Sequence, residues 1–278
     1  MIRKATRVIS GMPATDGAGV NLTRVLGTPL LDYLDPFLLL DEFKSDNPDD
    51  YIGGFPSHPH RGFETVTYLL HGRFRHRDSR GNEGLLTAGS VQWMTAGRGI
   101  IHSEMPEIDR GLLWGFQLWV NLPRDKKMIE PRYQDIPGER IPEAADNGVR
   151  VRVISGDYGG ETGPAETHIA IQYLDVRLED SARFSRSLPM ESNCFCYVYE
   201  GVAGFGPAEE LREVRAGDLV ILGEGDSVEA YGRGGGRFLF LAGMPLGEPV
   251  ARAGPFVMNT EGELRQAFLD YRNGTLDR

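Results

Sequence analysis

Residues 55–105 constrain the fold of this chain more than any other stretch, because they hold five of its six histidines: His58, His60, His71, His76 and His102. The stretch opens with His58-Pro59-His60, closes with His102-Ser103-Glu104, and between them is short-segmented, glycine-punctuated and β-like. Side chains at i and i+2 of a strand point to one face, so His58 shares a face with His60 and His102 shares one with Glu104. Two such pairs from distant strands supply three imidazoles and a carboxylate, a mixed N/O set that suits a divalent first-row metal and leaves coordination positions open. Three imidazoles alone also suit zinc. A chain that must bring these strands to one interior reads as a β-barrel wrapped around a metal.

His71 and His76 fall outside the two-residue spacing and read as turn or rim residues. Glu64 keeps strand parity with His60 in an H-x-H-x3-E run and competes with Glu104 for the fourth coordination position.

Three blocks in order carry a resemblance: Gly53-Gly54-Phe55-Pro56-Ser57-His58-Pro59-His60-Arg61-Gly62-Phe63-Glu64-Thr65-Val66, then Gln92-Trp93-Met94-Thr95-Ala96-Gly97-Arg98-Gly99-Ile100-Ile101-His102-Ser103-Glu104-Met105-Pro106, then Leu118-Trp119-Val120-Asn121-Leu122-Pro123. In wording and spacing this resembles the pirin family of the cupin superfamily, most strongly over residues 1–125. The resemblance implies an all-β bicupin, two jelly-roll-like barrels in tandem. It also implies a single iron, most readily Fe(2+), held by His58, His60, His102 and Glu104, with Glu64 not a direct ligand. Two activities go with the family: opening of the flavonol quercetin by dioxygen, and iron-dependent binding of transcription regulators. His71 stands where many pirins carry an acidic residue, which bears on the charge at the pocket mouth.

Composition agrees with a two-domain, turn-rich β protein: 278 residues, 40% of them hydrophobic, with 36 glycines and 17 prolines. A net charge of −10 argues against a nucleic-acid surface, since phosphate contact needs clustered Lys and Arg. Arg3, Lys4 and Arg7 are not followed by an apolar run of signal length, and no run of ~18 apolar residues occurs, so a cytoplasmic protein without membrane spans is expected. Cys194-Phe195-Cys196 cannot easily close a disulfide within one extended strand, and reduced core thiols are expected.

Along the chain, 20–25 alternates like a half-exposed strand and 37–43 like a buried one. The polar run 44–50 reads as a linking turn or a border of the metal pocket. Residues 112–122 are apolar on both faces, with Gln117 as a structural or pocket polar group. Residues 123–148 are charged, carry Pro131, Pro137 and Pro142, show no period, and read as an interdomain crossing. The expected division is 1–130 for the metal barrel, 131–165 for the crossing and first strands of the second half, 166–245 for the second barrel, and 246–278 for a tail. Tyr197-Val198-Tyr199-Glu200-Gly201 echoes Tyr68-Leu69-Leu70-His71-Gly72, and Ala216-Gly217 echoes Ala88-Gly89, an internal duplication. Projected by that offset, the ligand positions fall near 186–189 and 230–233, where no ligand set exists, so the second barrel is expected to be metal-free. Thr260-Glu261-Gly262-Glu263 is a capping box before the stripe Leu264, Ala267, Phe268 and Tyr271, and Asn273-Gly274 is a stop, so a short C-terminal helix is expected. By the resemblance it returns to the metal domain.

The function expected is a non-haem metal dioxygenase acting on a flavonol such as quercetin. Glu64 is then an outer partner of the ligands or a base, and Phe55, Trp93, Met94 and Gln117 are candidate pocket walls. The alternative is a regulatory module whose metal state sets a docking surface for a transcription factor or metabolic enzyme.

Overall fold

The computed structural model describes residues 1–107 and 110–278. Among these residues it is mostly β, with one α-helix, Glu261–Arg272. The chain divides into two compact units, one formed by 1–12, 28–36 and 140–245, the other by 13–27, 37–139 and 246–278. This differs from the expected division in three places, one being that residues 28–36 fall in the first of these units and not with the metal barrel. Residues 1–12 belong with the second barrel, because Ala5–Ser10 pairs antiparallel with Asp218–Leu222. The early cations are part of that arrangement: buried Arg3 donates to the carbonyls of Ser192 at 2.7 Å and Pro189 at 2.8 Å. The expected crossing, moreover, contains strands. Arg132–Ile136 pairs with Val91–Thr95, and Glu143–Asp146 pairs with Val149–Ser155. Both lie at sheet edges, where backbone pairing suffices and no apolar alternation is needed to mark them.

The unit that carries residues 55–105 has a seven-stranded sheet in the order Arg132–Ile136, Val91–Thr95, Phe63–His71, Leu113–Asn121, Phe37–Ser45, Val20–Leu26, Met12–Asp16. A four-stranded sheet runs Phe55–His60, Ile100–Pro106, Arg73–Asp78, Glu83–Thr87. Phe37–Ser45 and Leu113–Asn121 are buried along nearly their whole length, as their continuous apolar runs require. Phe43, Leu69, Phe74, Leu86 and Leu113 form an apolar cluster in this unit. The helix is capped as its sequence requires. Thr260 Oγ1 accepts from the Glu263 amide at 3.2 Å, and the Glu263 carboxylate accepts from the Thr260 amide at 2.9 Å. Leu264 and Ala267 are buried, while Phe268 and Tyr271 stay half-exposed beside Phe256.

In the other unit, one nine-stranded sheet is organised by two long strands, Asn193–Phe205 and Ser227–Gly243. Cys194 and Cys196 are free thiols in its core, two residues apart and so on one face, among Val153, Phe184, Phe238 and Phe240. The duplication is visible at the level of single hydrogen bonds. In one copy the Gly89 amide donates to Leu69 at 2.7 Å, and in the other Gly217 donates to Val198 at 2.8 Å. Both glycines have positive φ, +82° and +93°, where a side chain would be strained.

Candidate metal centre

Two antiparallel strands build the centre: His58 of Phe55–His60 lies directly across from His102 of Ile100–Pro106. His60, one full pleat further, points the same way as His58, and the three rings converge. Centroids lie 4.4 Å apart for His58–His102, 4.7 Å for His58–His60 and 5.0 Å for His60–His102. One nitrogen from each ring lies within 4.8 Å of the others. His60 and His102 are buried, His58 half-buried. Burial holds the His60 and His102 imidazoles well below their ordinary protonation range, and neighbouring rings add to the effect. Both are therefore neutral and competent as ligands. The Pro56 carbonyl lies 2.8 Å from His58 Nδ1; an oxygen there can only accept, so Nδ1 carries the proton and Nε2 is free. Both ring nitrogens of His102 are buried without a hydrogen-bond partner among the described residues, a cost that a bound cation removes. The donor set and its orphaned nitrogens fit a divalent metal.

Glu104 follows two residues on in the same strand, which pairs without a shift with Arg73–Asp78 and sets Glu104 opposite His76, while an extra residue in the Phe55–His60 strand sets it opposite Phe55 on the other side. Its carboxylate stands outside the converging trio and is buried. Thr67 Oγ1 lies 2.8 Å from Glu104 Oε1 and 2.7 Å from Gln117 Oε1. Thr67 has one proton to share between these two acceptors, and its donation to Glu104 Oε1 orients the carboxylate.

Glu64 lies elsewhere. The parity that linked it to His60 does not survive Arg61-Gly62, where Gly62, at φ +89°, turns the chain from one sheet into the other. In the new strand Thr67 faces Glu104, so Glu64, three residues before it, faces the opposite side. There it is fully buried, pairs in register with Thr95 and Val120, and accepts from Thr95 Oγ1 at 2.7 Å. Burial raises its pKa against that hydrogen bond. It is not among the residues that line the cavity.

A cavity of about 600 Å³ opens on the centre, with His58, His60 and Glu104 in its wall. Leu22, Leu39, Phe43, Phe55 and Trp119 form its apolar sides, and Arg24, Asp41 and Arg252 its polar rim. Of the four candidate wall residues, Phe55 and Gln117 lie in its lining and Trp93 and Met94 do not. Trp93 is on the Glu64 face of the sheet, and Met94 is buried under Ile100 and Tyr133. Arg24 grips Asp41 through Nε at 2.9 Å and Nη2 at 2.7 Å. Burial still raises the Asp41 carboxyl's pKa, against Arg24's pull.

Two histidine expectations need correction. His76 is buried, not a rim residue: its ring lies 5.5 Å from His102 and 4.4 Å from Tyr133. The alternation Arg73-Phe74-Arg75-His76-Arg77 carried that signal, since it turns Phe74 and His76 inward and the arginines outward. His71 is exposed, stacked on Trp114 at 5.8 Å, and absent from the cavity wall. The charge beside the cavity comes instead from Asp16, Arg24, Asp41 and Arg252. Arg24 and Asp41 were discoverable only through their register pairing.

The fold defines a bicupin, and among its described residues the histidine trio could hold a metal. The chain belongs to the pirin family: the family model for pirin matches residues 19–120, and that for the pirin C-terminal cupin domain matches 173–277. A pirin-like protein of Caulobacter vibrioides is 49% identical over 98% of this chain and 99% of its own length. Human pirin is 44% identical over 98% of this chain and 93% of its own. A crystal structure of quercetin 2,3-dioxygenase from Acinetobacter baumannii superposes with a TM-score of 0.92, covering 99% of each chain at 33% identity.

Proposed function

We propose that this protein is a metal-dependent dioxygenase that opens a flavonol of the quercetin type, with Fe(2+) held by His58, His60, His102 and Glu104. The observation that carries the proposal is the convergence of three neutral imidazoles in the wall of an apolar-sided cavity of a size that takes small aromatic ligands. The likeness to the A. baumannii dioxygenase supports the substrate class. When bound, the metal supplies Lewis-acid and template chemistry. The residues do the rest. Pro56 fixes the His58 tautomer, and Thr67 orients Glu104. Phe55, Leu39 and Trp119 sandwich a planar ring system and exclude water, while Arg24, Asp41 and Arg252 offer hydrogen bonds to outlying hydroxyls.

The test is oxygen uptake by iron-loaded protein across a flavonol panel. Wild type should consume dioxygen with quercetin above a free-iron control, and His102→Ala should abolish this while keeping its β-sheet circular dichroism. No uptake with any flavonol, together with partner binding that differs between the two iron oxidation states, would replace this reading with the regulatory one. The reading also places the protein in the cytoplasm. No helix among the described residues is long and apolar enough to cross a membrane.

A further inference from the structure

The turn that follows the His58/His60 strand is held from the C-terminal tail, by groups the proposed chemistry does not use. Arg61 is buried, and its guanidinium forks three ways: to the Arg98 carbonyl, to Asp270 Oδ2 of the helix at 2.7 Å, and to the Leu276 carbonyl at 3.1 Å. Its backbone pairs with the tail as well, since the Val257 amide donates to the Arg61 carbonyl at 3.0 Å. Lys127 is buried with no carboxylate on its ammonium. Its three protons go to Gly62 O at 2.8 Å, Asn121 Oδ1 at 2.6 Å and Val257 O at 3.0 Å, tying the turn and the tail to one point. The fit at Gly62 is tight, because a Cβ there would stand 2.0 Å from Val257 O. The opposite ligand strand rests on the same segment: Ile101 packs on Phe256, Leu264 and Leu276, and a Cβ on Gly99 would meet Leu276 O at 2.3 Å. Pro255 and Arg252 of the tail complete the cavity wall beside His60.

A surface helix needs only its apolar stripe to stay docked. Two buried cations, one of them the residue after a metal-competent histidine and the other bonded to the residue after that, are more than docking requires, and burying each costs desolvation. The geometry points to the tail, through the Arg61–Asp270 pair and Lys127, as a positioning element that sets the placement of His60 in the metal centre. This rests on the metal reading above.

Asp270→Ala removes the tail's carboxylate from Arg61 without touching a ligand or the cavity wall. Loss of an outer partner of a ligand typically costs 10–100-fold in metal affinity, so about tenfold faster loss of Co(II) to a chelator is expected. A shifted Co(II) d–d spectrum should accompany it, beside whatever thermal stability the buried Arg61 loses with its carboxylate. Asp270→Glu should restore both. A merely structural clamp would lower stability and leave the spectrum of the retained metal unchanged. Unchanged spectrum and release rate, with hydrogen exchange at 255–257 accelerated, overturns the inference. Should Asp270→Ala not fold, Arg61→Lys, which keeps the charge and loses the fork, is read the same way. A wild type that holds no Co(II) sinks the metal reading itself, a separate result.

Discussion

Glu64 and Glu104 are both buried carboxylates near the histidine strands, and truncating each to alanine separates the roles the structure gives them. Glu64→Ala deletes an acceptor on the far face of the sheet. It leaves the Thr95 hydroxyl unpaired at about 1–3 kcal/mol and opens a void worth roughly 2 kcal/mol more. The sum, about 3–5 kcal/mol, is a fall in melting temperature on the order of 10 °C for a unit of this size, with metal release unchanged. Glu104→Ala removes a proposed direct ligand and its bond from Thr67. The loss should exceed the 10–100-fold, or roughly 1.4–2.8 kcal/mol, that outer-partner deletion costs. The assay is chelator-driven release from metal-loaded protein, beside thermal denaturation of the metal-free form. Equal release rates, or faster release from Glu64→Ala, would refute the face assignment and return the fourth position to Glu64.

Metal analysis of purified protein should find about one ion per chain, because positions 186–189 and 230–233 of the second barrel supply no ligand set; two tightly held equivalents would contradict this. Metal-free protein should lose stability as pH falls. The folded pKa values of His60 and His102 are depressed below the unfolded value of about 6.5, so below that pH the unfolded chain binds more protons and folding weakens until the folded pKa values are passed. Denaturant midpoints from pH 8 to 5 measure it, and a His60→Asn/His102→Asn double variant should flatten the slope. Native Cys194 and Cys196 should resist iodoacetamide at pH 8, since burial pushes the Cys194 thiol up to about 12 and Cys196 well above its ordinary value, while urea-unfolded protein should label at both.

Local sequence determined what depends on one element at a time. The i, i+2 pairs put His58 with His60, the apolar runs marked Phe37–Ser45 and Leu113–Asn121 as buried strands, and Thr260 with Glu263 capped the helix. The two Gly turns offset by 128–129 residues disclosed the duplication before any coordinates. What passed between elements was decided by tertiary structure. Parity ended at Gly62, so Glu64 left the centre and Thr67 entered it. An extra residue in the Phe55–His60 strand, between Phe55 and His58, set Glu104 opposite Phe55. The edge strand Arg132–Ile136, whose partner is backbone, carried no pattern to read, and the pairing of Ala5–Ser10 with Asp218–Leu222 joined residues more than 200 apart. Periodicity is a property of a single strand, whereas the face a side chain shares with a distant neighbour is set by turns, bulges and register, which no one-strand pattern records.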